Sequence, residues 1–158
     1  MERLVEAKVR LRAVMAEVRR VSESDFPYAA GRDALNCIDK VFKGDAKNLE
    51  ELVEGASPPD TIQLACETAI HNIEAYLPLV GFVLRSTNVR NAFELHGPLT
   101  RLARCVLGSD IRLVLSSEWN YSPFIYIEPP SLNGFCMIGF PAHESGNPLI
   151  APLAACRT

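Results

Sequence analysis

The chain has 158 residues, of which 48% are hydrophobic and 22% are charged, and its formal net charge is −3. These values exclude wholesale disorder, give no sign of a nucleic-acid-binding protein, and suit one domain with a core of its own. From Ser109 onward only six charged side chains occur. We therefore expect this charge-poor part of the chain to be covered by other protein segments.

The first part of the sequence predicts amphipathic helices. Between residues 4 and 21, apolar side chains recur at steps of three and four, with Arg and Glu on the other face, which indicates a helix. The same spacing resembles a coiled-coil seam, but packing within its own domain is the preferred interpretation. A second helix is predicted to stop at Gly44, where Asp45 caps a short third helix that ends at Gly55.

Two longer apolar patterns follow. Residues 60–77 form one continuous stripe and are predicted to be a helix that Pro78 ends or kinks, because proline removes a backbone donor. Residues 79–84 fit either a buried strand or more helix. Residues 89–106 repeat the helical spacing, and Gly97 and Pro98 interrupt it, so a kink or two short helices are expected.

The last third of the chain reads as strands. Residues 111–115, 124–127 and 135–140 are short, rich in β-branched or aromatic side chains, and bounded by Ser, Asn, Pro and Gly. We therefore predict an α+β fold, with N-terminal helices followed by a small, mainly antiparallel sheet near the C-terminus. Residues 1–158 are expected to form a single domain, with a helical part in 1–108 and a strand-rich part in 109–158.

The cysteine pattern and the hydropathy of the chain predict the cellular compartment of the protein. The five cysteines form no C-x-x-C pair and stand mostly in apolar contexts, which is typical of a reducing compartment where cysteine acts as a small hydrophobe. No signal peptide and no apolar stretch of membrane-spanning length is visible in the sequence. The expected location is the cytoplasm.

Candidate catalytic residues stand in the connections between the predicted strands. Glu118, His143 and Glu144 are the types that ligate metals or transfer protons. However, adjacent residues point to opposite sides of an extended chain, and no second histidine stands at ligand spacing. A polar loop is therefore the preferred interpretation, and no metal site or cofactor is assigned.

Two further sets of side chains are candidate binding residues. Trp119, Tyr121 and Tyr126 would line a ligand groove, although aromatic residues beside a small sheet usually complete its core. A helix that continues through Pro98 would place arginines on one face for phosphate binding, although a solvated face is preferred. These arginines are Arg90, Arg101 and Arg104.

Residues 139–155, with the sequence GFPAHESGNPLIAPLAA, resemble the lead-in to the zinc helix of uncharacterised bacterial metallopeptidase-like proteins. In those proteins the apolar helix runs into an H-E-x-x-H motif. Residues 115–119 and 122–124 are similar too. Here Cys156, Arg157 and Thr158 follow instead, H-E-x-x-H is absent, and no zinc ligand is carried over. The resemblance implies a truncated N-terminal portion of a larger enzyme, with zinc only in a longer protein.

The sequence supports two hypotheses about function. The first is a non-catalytic helical interaction domain that packs against, or precedes, a catalytic module. It predicts a protein partner, or self-association through the apolar residues 149–155, and no membrane or nucleic-acid partner. The alternative is a stand-alone small hydrolase or ligand-binding protein that uses Glu118, His143 and the aromatic residues around them.

Overall fold

The structure is a computed structural model that describes residues 2–88, 91, 93–118, 124–125 and 130–141. The chain divides into two compact units, of which unit 1 is Met1–Glu23 with Leu35–Gly81, and unit 2 is Ser24–Ala34 with Phe82–Thr158. In the described residues, four long helices precede three strands, which confirms the predicted α+β class. The elements are α1 (Glu2–Ser22), α2 (Ala29–Glu54), α3 (Pro59–Arg85), α4 (Phe93–Leu107), β1 (Arg112–Glu118), β2 (Phe124–Ile125), a 3-10 turn (Pro130–Leu132) and β3 (Phe135–Pro141).

Unit 1 is built on the predicted periodicity of α1. The buried side chains of this helix are five of the apolar positions that the sequence pattern selected, from Ala7 to Val21. The Phe42 ring meets the Tyr76 ring edge to face, and Asp45 accepts a hydrogen bond from Asn72. Because these pairs run in opposite order along the chain, α2 and α3 are antiparallel within this unit.

The predicted helix end at Gly44 is wrong, because α2 runs through Gly44 and Asp45 without a break. Glycine inside a helix costs about 1 kcal/mol relative to alanine. Phe42 and Leu49 lie on either side of it and are at most 1% exposed, and burying each such side chain gains about 1.5–3 kcal/mol. Packing therefore outweighs the local stop signal.

Prolines are likewise inside helices and do not end them. α3 continues through Pro78 to Arg85, so the ambiguous residues 79–84 are helical, and α4 is one helix that includes Pro98. Tyr76, before Pro78, and Leu79, after it, are both buried, and their packing compensates for the lost backbone hydrogen bond. Leu77 is 48% exposed although the stripe predicted it to face inward.

Unit 2 contains a mixed three-stranded sheet in the order β1-β3-β2. β1 and β3 are parallel from the pair Arg112 and Phe135 to the pair Glu118 and Pro141, whereas β2 is antiparallel to β3. The longest pairing is thus parallel, which corrects the prediction of a mainly antiparallel sheet. Residues 119–134 separate the parallel strands, and this connection exceeds the dozen or so residues that a parallel crossover needs.

Both faces of the sheet are covered. On one face Leu113, Leu115 and their neighbours on β3 pack against Leu99 and Ala103 of α4. On the other face Phe124 meets Phe82 at the end of α3, with ring centroids 6.5 Å apart. Parallel strands that are buried on both faces are near-continuously apolar instead of alternating, which explains the apolar run in 113–115.

Candidate functional site

Most residues that the sequence nominated lie outside the described residues. Of the proposed catalytic set, the structure describes only the backbone of Glu118, which is the last residue of β1. The others that lie outside the described residues are His143, Glu144, Trp119, Tyr121, Tyr126 and Arg90.

The parallel pairing fixes where these segments leave the sheet. Glu118 is paired with Pro141, so β1 and β3 end at the same carboxyl edge. In the sequence Trp119 follows Glu118 directly, and His143 follows Pro141 by two residues. In α/β proteins, ligands bind outside the carboxyl ends of parallel strands. Among the described features, this shared edge is the one that supports a site formed by the segments that follow β1 and β3.

A buried polar network lies at the end of β1. Ser117 Oγ donates to Asn91 Oδ1 at 2.6 Å, and Asn91 Nδ2 donates to the backbone oxygen of Ser86 at 2.6 Å. All three residues are less than 8% exposed. The proton of the Ser117 hydroxyl is directed to an amide oxygen, which is too weak a base to activate a nucleophile. The network therefore anchors the strand end, and sequence reasoning missed Asn91 because its partner is far along the chain.

His96 of α4 is held between a ring and a backbone carbonyl. The ring of Tyr28 stacks on it with centroids 3.4 Å apart and planes 6° apart. Its Nε2 lies 3.3 Å from the Leu113 oxygen, and Thr100 Oγ1 is 3.5 Å from Nδ1. Since a carbonyl only accepts, Nε2 carries the proton and donates. Burial lowers the pKa of His96, against the raising effect of the bond to Leu113, so the imidazole is neutral at pH 7.

The two described arginines of the proposed anion site lie on the solvent side of α4. Because α4 continues through Pro98, Arg101 and Arg104 share one face, as the sequence condition required. Arg104 Nε donates to the Ile111 backbone oxygen at 3.2 Å. Arg101 is exposed and forms no ion pair with another described residue. It is a free cation in this part of the chain.

α4 carries a second apolar face that the sheet does not cover. We define the outer stripe of α4 as Pro98, Leu102, Cys105 and Val106, which are one helix face at steps of three and four. Leu102 is 40% exposed and Val106 is 59% exposed, whereas the neighbouring face with Leu99 is buried. The apolar surface of α4 is thus wider than its contact with the sheet.

The described part of the chain holds no group of three histidine, cysteine, aspartate or glutamate side chains placed to bind a metal ion. Among the helices of that part, none combines the length and the hydrophobicity needed to cross a membrane. No protein-family model, no curated protein and no solved structure matches the chain.

Proposed function

We propose that this chain is a non-catalytic interaction domain that binds another protein through the outer stripe of α4. The observation that carries the proposal is the exposure of Leu102 and Val106 on a helix whose neighbouring face already packs on the sheet. Burying a fully exposed side chain of this kind gains about 1.5–3 kcal/mol, and covering the half-exposed Leu102 or Val106 would gain roughly half of that. A helix that presents apolar side chains at steps of three and four suits a groove on a partner protein.

The charge beside the stripe specifies the chemistry of that partner. Arg101 borders the stripe next to Cys105 and has no ion pair with another described residue. A partner with an apolar groove and carboxylates on its rim would pair with this guanidinium and suppress wrong partners. The resemblance of residues 139–155 makes a metallopeptidase-like catalytic module the first partner to test, and membership of a larger protein stays part of this proposal.

The experiment compares the double variant Leu102→Glu, Val106→Glu with the control Leu64→Glu. Leu64 is 65% exposed on α3, so all these changes are at the surface, and the melting temperatures should remain within a few degrees of the parent. A partner is identified by cross-linking in cells, purified, and titrated into each variant. We expect the double variant to lose binding and Leu64→Glu to retain it.

The charge arm of the same experiment uses Arg101→Glu, which should weaken binding about tenfold and reduce its salt dependence. Equal loss in Leu64→Glu and in the double variant would contradict the proposal, as would unchanged binding in the double variant. Sedimentation supplies a further outcome. If the parent self-associates and the double variant is monomeric without any other protein, the occupant of the stripe is a second copy, which overturns the proposed acidic partner.

A second candidate function is a stand-alone small hydrolase or ligand-binding protein that uses Glu118, His143 and the aromatic residues. The observation that favours it is the parallel register, in which the strands before Trp119 and before His143 end side by side. Trp119 is the single tryptophan of the chain, so fluorescence excited selectively from tryptophan reports on this region alone. A saturable change on titration with peptides, sugars or nucleotides, lost in Glu118→Gln but not in Glu94→Gln, would support this function.

Metal analysis provides an independent test of the second candidate. One zinc per chain in protein purified without added metal, lost on His143→Ala, would favour a metal-dependent hydrolase. Because no second histidine stands at ligand spacing from His143, we expect that no zinc copurifies with the protein.

A further inference from the structure

Unit 1 contains a hollow where α1 and α3 begin. Its volume is about 390 Å³. It is lined by the apolar residues Leu4, Pro59, Ile62 and Cys66, which we call its floor, and by the polar residues Glu2, Arg3 and Gln63, which we call its rim. The volume falls within the range of small-molecule sites, which are mostly apolar with a few polar groups at the edge.

Arg3 and Gln63, two of the three polar residues at the rim, already have a partner within the protein. Arg3 Nη1 lies 2.6 Å from Glu67 Oε1, and Gln63 Nε2 donates to the same oxygen at 3.0 Å. The cation at the rim is therefore paired within the protein, and Glu2 would repel an anion. Glu2 forms no ion pair with another described residue, so an anionic ligand that left water here would be repelled and would find no unpaired cation among these side chains.

The floor of the hollow is apolar, including the thiol of Cys66. Cys66 is 1% exposed overall, and burial raises the pKa of its thiol, so the sulfur is protonated at neutral pH and behaves as a small hydrophobe. Ile62 and Leu4 are only partly buried, which leaves apolar surface in the hollow for a ligand to cover.

We propose that this hollow is a binding site for an uncharged, apolar small molecule. At the packing density of protein interiors, its volume accommodates on the order of ten non-hydrogen atoms. This site is independent of the interaction surface proposed for α4, and the failure of either leaves the other in place.

The test is a titration of the full-length protein, labelled with 13C at the isoleucine δ1 methyl groups, with 1-octanol and with octanoate. We expect a saturable shift of the Ile62 methyl resonance, no matched shift at Ile138 of the sheet, and at least tenfold weaker binding of octanoate. The absence of a saturable shift at Ile62 up to the solubility of 1-octanol would overturn the proposal. So would equal shifts at Ile138, which mean nonspecific partition, or octanoate binding as tightly as octanol.

Matched variants add a second measurement. Ile62→Gln introduces a polar group into the floor, whereas Leu64→Gln makes the same kind of change on an exposed position two residues away. The first should weaken 1-octanol binding at least tenfold, and the second should leave it unchanged. Equal affinities in both variants would contradict the assignment of the site. If Ile62→Gln does not fold, the titration of the parent protein still decides the question.

Discussion

His96 and Asp45 are both partly buried, and burial moves the pKa of each toward its neutral form. The pKa of His96 is lowered mainly by desolvation, whereas that of Asp45 is raised mainly by desolvation against the hydrogen bond from Asn72. No charged partner contributes to either shift. The sequence does not show which backbone oxygen His96 meets or which amide Asp45 meets, because Leu113 and Asn72 are distant along the chain.

Protonation of His96 should destabilise the fold. Because the pKa of His96 is lower in the folded state, the unfolded chain binds the proton more tightly. The stability from neutral His96 is therefore complete above the unfolded pKa and is lost as the pH falls through the folded pKa. In urea unfolding between pH 8 and pH 5, His96→Gln should show a smaller fall in the free energy of unfolding than the parent.

The control for this measurement is His71→Gln, since His71 is exposed on α3. It should keep the pH dependence of the parent. A profile of His96→Gln that superimposes on those of the parent and of the control would contradict the role of His96.

Asp45 gives a prediction of the opposite sense. Its raised pKa means that the charged carboxylate is disfavoured in the folded chain, so its cost is present above the folded pKa and disappears as the pH falls. Asp45→Asn keeps an oxygen that accepts from Asn72 and removes the charge. At pH 7 its free energy of unfolding should equal or exceed that of the parent, whereas Asn72→Ala should lower it by about 1 kcal/mol. A clear loss of stability in Asp45→Asn at pH 7 would show that the charge is needed.

At the scale of elements, α1 was predictable because its apolar period is a local property of the sequence. The helix end predicted at Gly44 was wrong, and α3 and α4 continue through Pro78 and Pro98, where an end or a kink was predicted. Each is a local signal of about 1–3 kcal/mol, and each is flanked by side chains that tertiary packing buries. Such packing partners are distant in sequence, so the periodicity alone does not reveal which signal wins.

The helical position of Gly44 leads to a stability prediction. Apart from the neighbouring residues and the backbone of its own helix, no atom of a described residue lies within 4 Å of the place that a Cβ would occupy, and Gly44 is exposed. Gly44→Ala should therefore raise the free energy of unfolding by about 0.5–1 kcal/mol, because alanine loses less backbone entropy on folding. Thermal and urea unfolding measure the change.

Gly31→Ala is the matched comparison, in the same helix. There a Cβ would stand 2.7 Å from Cδ1 of Phe26, so the ring must move, and the variant should lose roughly 1–3 kcal/mol. Stabilisation by Gly31→Ala, or destabilisation by Gly44→Ala, would contradict the packing described here.

At the scale of the whole molecule, the order of helical and strand-like patterns was sufficient to predict the α+β class. The strand register was not predictable. The parallel pairing of β1 with β3 depends on the connection formed by residues 119–134, which is longer than a hairpin loop. The contacts that organise unit 2 also join distant residues, as in Tyr28 with His96 and Asn91 with Ser117. Neither pair produces a periodic pattern in the sequence. Sequence reasoning therefore missed Asn91, although it nominated Glu118 next to the partner of Asn91, Ser117.

The buried network at the end of β1 should be one energetic unit. Ser117→Ala removes the donor to Asn91 Oδ1 and leaves that oxygen buried without its proton donor, which should cost about 1–3 kcal/mol. Asn91→Ala should cost more, because it also withdraws the donor to the Ser86 carbonyl and leaves a cavity. Ser109→Ala, at an exposed position, is the control and should change stability by less than about 0.5 kcal/mol.

The double variant separates an anchor from two unrelated polar residues. Once Asn91 is absent, the Ser117 hydroxyl has lost its acceptor, so Ser117→Ala should cost less in that background than in the parent. Urea unfolding of the parent, both single variants and the double variant gives the coupling, which we expect at about 0.5–3 kcal/mol. If the costs of the two single variants add, the hydrogen bond of 2.6 Å between Ser117 and Asn91 contributes no coupling energy to stability. The end of β1, from which the chain continues to Trp119, would then be held by the apolar sheet alone.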